Sequence, residues 1–203
     1  MGLDDGDRTS PNRGEGIRNV LSTIAVLLIA PAIALMLTAV VFQSYQVDGP
    51  SMETTLSNND RLIVWKLPRT WARITHHNYT PQRADVIVFV AHNVDSFGQA
   101  DKQLIKRVIG LPGERVVVKD GVLTIYNKRY PKGFRPDATL PYGKVIQNTE
   151  GDIDEVVPKD SVFVCGDNRG NSLDSRAFGP VASKDIVGKL VMRVLPLNQA
   201  KRF

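Results

Sequence analysis

Two side chains in this sequence are of types that can carry acyl chemistry. Ser51 lies in Asp48-Gly49-Pro50-Ser51-Met52-Glu53-Thr54-Thr55-Leu56, and Lys106 lies in Leu104-Ile105-Lys106-Arg107-Val108-Ile109-Gly110-Leu111-Pro112-Gly113-Glu114. A serine hydroxyl attacks a carbonyl when a base takes its proton. Lysine can be that base only when neutral, so it must sit in a dry, apolar place that depresses its pKa. A lysine inside a β-branched run is unusual, although strand alternation alone also allows it a solvent-facing position. A third stretch, Gly166 to Gly179, combines Ser172 and Ser175 with Asp167, Asp174, Arg169 and Arg176 straight after an apolar strand. Such a stretch reads either as a solvated loop or as a tightly hydrogen-bonded turn.

Other arrangements around Ser51 fit less well. A nucleophile elbow, G-x-S-x-G, has Glu53 at its last position, and an S-x-x-K pattern has Thr54 where lysine is required. A serine–histidine–aspartate triad needs one of three histidines. His76 and His77 are adjacent in a polar loop, and His92 follows a strand; none is in a motif-like setting, and none has the spacing of a metal site. No metal or other cofactor is expected. The single cysteine, Cys165, excludes an internal disulfide.

The elements that must position these residues begin with a span. Residues 1–18 read as a short polar cytoplasmic tail. Val20 to Phe42 then runs 23 residues without a charge. At about 1.5 Å per residue it reaches roughly 35 Å, enough to cross a bilayer core. Residues 19–42 are therefore expected to form a transmembrane anchor, and the length argues against a cleaved signal peptide. Arg8, Arg13 and Arg18 precede the span, and no Lys or Arg follows it before Arg61. That asymmetry predicts a cytoplasmic N-terminus and an extracytoplasmic Ser51, in the plasma membrane. The tail through residue 19 holds three basic and four acidic residues, leaving 23 basic and 17 acidic after it. A modest positive field suits an anionic lipid surface, and the lack of a basic run with interleaved aromatics argues against nucleic acid.

Residues 43–203 read as a mainly β catalytic domain, an antiparallel sheet structure of two packed sheets or a partly closed barrel. Short β-branched runs at 61–65, 85–90, 115–118, 122–126, 161–165 and 190–195 predict strands, and Asp120-Gly121 predicts a hairpin turn. Residues 67–83 and 130–155 read as loops, the second within an inserted flap or subdomain around 115–160. No useful amphipathic helix follows the span.

Together these stretches resemble the type I signal peptidases, a family of membrane-bound serine–lysine proteases. Ser51-Met52 with Thr55-Leu56 is similar to the family's S-M-x-P-T-L box, and Arg83 to Phe89 to its R-G-D-V-V-V-F box. Lys106 to Glu114 matches K-R-V-I-G-L-P-G-E, and Gly166 to Arg176 matches G-D-N-R-x-x-S-x-D-S-R. Gly188 to Pro196 resembles its closing strand. Thr54 replaces a proline, Ala84 replaces a glycine, and Gly49 stands where some members have serine. The resemblance implies that Ser51 is the nucleophile and Lys106 the base, with the Ser172 hydroxyl orienting the amine. It implies bracing ion pairs between Arg107 and Asp167 and between Asp174 and Arg176. It implies substrate contacts near Tyr45, Val47, Met52, Leu56, Leu104 and Ile105. Signal-peptide-bearing preproteins, cut after small-x-small sites, are the implied substrates, with the bilayer and export machinery nearby. A self-cleaving repressor of the same chemistry would need a DNA-binding domain where this chain has a span. A degenerate peptide-binding relative is the non-enzymatic alternative.

Overall fold

A computed structural model describes residues 13–36, 41–66, 79–92, 101–139 and 148–203, with positions 70, 72, 74, 75 and 145 between them. The chain divides into two units, Met1–Ala39 and Val40–Phe203. The first holds one helix, α1 (Arg13–Met36), with Pro31 inside it. Residues Gly16–Met36 have a mean hydropathy of 2.2, making the helix long and apolar enough to cross a membrane. The described part of the helix runs to Met36, and Phe42, placed by composition in the span, is instead the first residue of a strand. The apolar run continues unbroken into that strand, so hydropathy could not mark the boundary.

The second unit is antiparallel β. Its larger sheet runs β1 (Phe42–Gln46), β2 (Arg61–Trp65), β10 (Ile186–Leu195), β3 (Val86–Ala91), β4 (Lys102–Gly110), β8 (Ser161–Cys165) and β9 (Val181–Ala182), with β11 (Lys201–Arg202) paired to β10. A smaller sheet has the order β6 (Val122–Tyr126), β5 (Arg115–Lys119), β7 (Ile153–Val156). β7 lies in a region that reads as loop, because Ile-Asp-Glu-Val is too short and too charged to signal a strand. Two one-turn helices, α2 (Pro136–Thr139) and α3 (Ser175–Phe178), complete the elements used below. Trp71, His76 and His77 lie outside the described residues.

Local chemistry explains the connections. Asp120 and Gly121 both take positive φ, 52° and 78°, as a two-residue hairpin of the primed type requires. β3 is buried on both faces except at Val90, as a central strand with a continuous apolar run should be. One core cluster gathers Ile87, Phe89, Val108, Val162, Val164 and Ile186 within the large sheet. A second joins Ile109 and Phe163 of that sheet to Val116, Val118, Leu123 and Ile125 of the small one. A third contains Val47, Met52, Leu56, Leu62, Val86 and Leu190. Burying a single side chain of this size contributes about 1.5–3 kcal/mol, so the third cluster holds the Ser51 segment firmly against β2, β3 and β10.

Candidate active site

Ser51 sits in the turn between β1 and β2. The turn closes through Glu53 N–H to Pro50 O (3.1 Å), Thr55 N–H to Met52 O (3.0 Å) and Leu56 N–H to Met52 O (2.8 Å). Met52 and Leu56 are 0% and 1% exposed and hook the turn into the core. Gly49 enters it at φ 96°, a region that favours glycine, and donates its N–H to Asn58 Oδ1 at 3.0 Å. From the far side, Asn168 donates its backbone N–H to Ser51 O at 3.1 Å and its side-chain amide to Pro50 O at 3.2 Å.

β4 delivers Lys106, whose cross-strand partner on β3 is Ile87. The lysine is 3% exposed. Its Nζ lies 2.7 Å from Ser51 Oγ and donates to Ile105 O at 3.1 Å. Burial is the main influence on the amine and lowers its pKa to about 8, against the opposing pull of the Asp174 and Asp167 carboxylates. Cys165 also lies near the amine, but burial pushes its thiol pKa up, so it is neutral at pH 7 and adds no negative charge. The pair is thus a hydroxyl in hydrogen-bond contact with an amine that loses its proton easily, the arrangement required for nucleophile activation.

The loop after β8 forms the back of the site. A Cβ on Gly166 would overlap both Ser172 Oγ and Ser51 O, so only glycine permits this approach. Ser172 Oγ is buried there without a hydrogen-bond partner among the described residues. The expected bond from Ser172 to the Lys106 amine is therefore not formed, because Nζ is turned to Ser51 Oγ and Ile105 O. The Arg107 guanidinium makes a two-pronged, buried contact with Asp167, at 2.8 and 2.6 Å, and also reaches Ala84 O (2.8 Å) and Thr55 Oγ1 (3.1 Å). Thr55 donates to the same carboxylate at 2.5 Å. Asp174 accepts Arg176 Nε and Nη2, both at 2.9 Å, and Gly166 N–H at 3.0 Å.

Sequence reasoning missed Arg169. It is 1% exposed and bonds Asp137 twice at 2.6 Å, Thr149 Oγ1 at 2.6 Å and Gly166 O at 2.9 Å. Asp137 lies on α2, so Arg169 ties the catalytic loop to the insertion that carries the small sheet. Its only signal was an arginine within a turn-rich box; its partners lie in a stretch that reads as loop. Arg83 was also unassigned. It clamps Glu114 with contacts at 2.5 and 2.7 Å, and Glu114 in turn accepts Leu111 N–H and the Asn127 amide.

The six expected substrate contacts separate. Val47, Met52 and Leu56 are core side chains. Tyr45 and Ile105 are partly buried against that cluster and its neighbour around Val64 and Val88. Leu104 packs instead with the cluster of Ile87 and Phe89. Burial leaves Met52 and Leu56 shaping the site from behind its surface. His92 is five residues beyond Ile87 along β3, roughly 16 Å at about 3.3 Å per residue, and contacts Asp101 (2.9 Å) and Asp185 (3.4 Å). It is too far along the strand to serve Ser51.

The sequence profile described as "Signal peptidase, peptidase S26" matches residues 20–195. The chain belongs to the signal peptidase family. Signal peptidase I of Leptolyngbya laminosa is 34% identical over 185 residues, covering 89% of this chain and 82% of that protein. Signal peptidase I P of Bacillus subtilis subsp. natto is 32% identical and covers 90% and 93%. Signal peptidase I of Bacillus caldolyticus is 35% identical and covers 84% and 89%. Family membership makes the chain a serine hydrolase.

Proposed function

We propose that this chain is a membrane-tethered endopeptidase that removes signal peptides from exported preproteins after small-x-small sites, with Ser51 as nucleophile and Lys106 as general base. The observation that carries this reading is the 2.7 Å contact between Ser51 Oγ and a buried Lys106 Nζ. In the neutral state the hydroxyl donates to the amine. As Oγ attacks the scissile carbonyl its proton passes to Nζ, which then gives it to the departing amine of the mature protein. Water hydrolyses the acyl-enzyme by the reverse relay. The Ser51 N–H is assigned as a backbone donor to the developing oxyanion, and Gly49 offers no side-chain donor beside it.

β1 is the edge strand of the large sheet and is largely exposed, so an extended signal-peptide terminus can pair with it. The names of the relatives support the substrate class. The apolar helix α1 supports a membrane anchor, and the arginines before it support a cytoplasmic N-terminus with the β domain outside. The test is cleavage of a preprotein carrying an Ala-x-Ala site by wild type, Ser51→Ala and Lys106→Ala. Loss of turnover in both variants is expected; near-normal turnover by Lys106→Ala sinks the serine–lysine assignment.

A further inference from the structure

The turn that carries Ser51 is braced on one side by the loop after β8. A second brace comes from β10 and uses a residue that the serine–lysine relay does not. Met52 and Leu56 are buried, but Thr54 and Thr55 between them border a cavity of about 350 Å³. Packing therefore does not close around these two residues as it closes around their neighbours. Thr54 also has φ 66°, and a β-branched residue stays in that region only when its surroundings enforce it. The enforcement acts through Thr55. Arg107 of β4 donates to its hydroxyl at 3.1 Å, and Arg193 of β10 donates to its carbonyl at 3.4 Å.

Arg193 holds more than Thr55. Its Nη1 also donates to Asp60 Oδ2 at 2.9 Å, and that oxygen accepts Ser57 N–H at 2.9 Å. Asp60 is 2% exposed, and its backbone carbonyl accepts Val47 N–H at 2.9 Å. The contact thus reaches both limbs of the turn, Val47 before Ser51 and Thr55 to Asp60 after it. Arg193 Nε donates to Gln199 O at 2.8 Å, in the short turn Leu197–Gln199 that leads into β11. Beyond β11, Phe203 packs against the cluster of Met52 and Leu56. A guanidinium has donors fixed in a plane and can span three acceptors, whereas a lysine ammonium is a single compact charge.

We propose that Arg193 is a positioning residue for the reaction, a role that rests on the serine–lysine reading: it fixes the Thr55–Asp60 limb so that Ser51 Oγ stays in reach of Lys106 Nζ. Arg193 touches neither reacting group. It acts through placement, and a misplacement of about 1 Å can cost about 10²-fold in rate.

The test is Arg193→Lys in the full chain. It keeps a cation for the buried Asp60 carboxylate but releases Thr55 O and Gln199 O. Tm should stay close to wild type, kcat for preprotein should fall about tenfold, and KM should stay within about twofold. The inflection of the kcat/KM profile should stay near pH 8, because Lys106 remains buried. Arg115→Lys, at the exposed pair of the small sheet, is the control and should leave kcat unchanged. A second readout needs no preprotein. A thiol introduced by Ser51→Cys lies beside the Lys106 amine, whose charged form favours the thiolate and speeds alkylation by iodoacetamide. Cys165 is buried and stays silent. Adding Arg193→Lys should slow that alkylation about threefold or more. If Arg193→Lys fails to fold, Asp60→Asn with Arg193→Gln, which leaves no buried charge unpaired, is read in the same way. Wild-type kcat or a wild-type alkylation rate overturns the proposal. So does an alkaline shift of the inflection, which means that Lys106 is rehydrated and the whole sheet has loosened. Slowed alkylation beside a wild type that cleaves no preprotein keeps the role of Arg193 and overturns the proposed function instead.

Discussion

Lys106 Nζ and Ser51 Oγ are 2.7 Å apart although 55 residues separate them in the chain, and the amine's surroundings lower its pKa to about 8. The charged amine cannot accept the serine proton. With one essential base, kcat/KM should therefore fall about tenfold per pH unit below about pH 8. A kcat/KM profile of preprotein cleavage checks this, and a flat profile down to pH 5 contradicts it. The same shift has a stability sign. The folded state disfavours the charged amine, so its cost is fully present below about pH 8 and disappears as pH rises toward the unfolded value of 10.5. Lys106→Met should accordingly remain folded at pH 7 while losing turnover.

Two ion pairs of similar form should behave in opposite ways. Asp167 and Arg107 are nearly inaccessible, whereas Asp154 and Arg115 have side chains more than half exposed. Removing one partner of a buried pair leaves an uncompensated charge, at a cost of about 3–5 kcal/mol. Asp167→Ala should lower Tm strongly, and Asp154→Ala should leave it within error. Thermal melts of the two variants side by side make the comparison.

Ala84 has φ 73° and is held there at both ends, its N–H bonded to Val108 O and its carbonyl to Arg107. A side chain in this region costs about 1–2 kcal/mol that glycine avoids, partly offset by glycine's greater unfolded-state freedom. Ala84→Gly should stabilise the domain by about 1 kcal/mol. Thr54, at φ 66°, is the converse case. A proline ring fixes φ near −65°, so Thr54→Pro should force the Ser51 turn to rebuild and lower both Tm and turnover. Chemical denaturation of both variants, with turnover measured alongside, checks the pair.

Cys165 is fully buried on β8, and burial pushes its thiol pKa up. The thiolate is the reactive form. Native protein should resist maleimide at neutral pH and label only as it unfolds, so labelling in increasing urea should track the loss of circular dichroism. Rapid labelling without denaturant would contradict this burial.

Much of the fold is legible in the sequence because local chemistry fixes it. The β-branched runs at β2, β5, β6 and β8 and the Asp120-Gly121 turn carry their own signals. Lys106 was legible only in part: a lysine in an apolar strand faces either core or solvent, and only the pairing of β4 between β3 and β8 buries it. The Arg169–Asp137–Thr149 joint was not legible, since Thr149 and Asp137 lie 20 and 32 residues from Arg169 and none of the three lies in a periodic segment. Ser172 shows the limit from the other side. Its box predicts the place it takes beside Gly166 and Ser51, but the bond to the amine that the resemblance implies is not formed.

The serine comes from the β1–β2 turn, the lysine from β4, and the support behind them from the loop after β8. No one segment contains the reactive pair. In an unfolded or partly synthesised chain Lys106 is hydrated and remains an ordinary ammonium ion, and Ser51 an ordinary alcohol. Folding itself is the activation step: the amine becomes a ready proton acceptor only once the large sheet has closed around it.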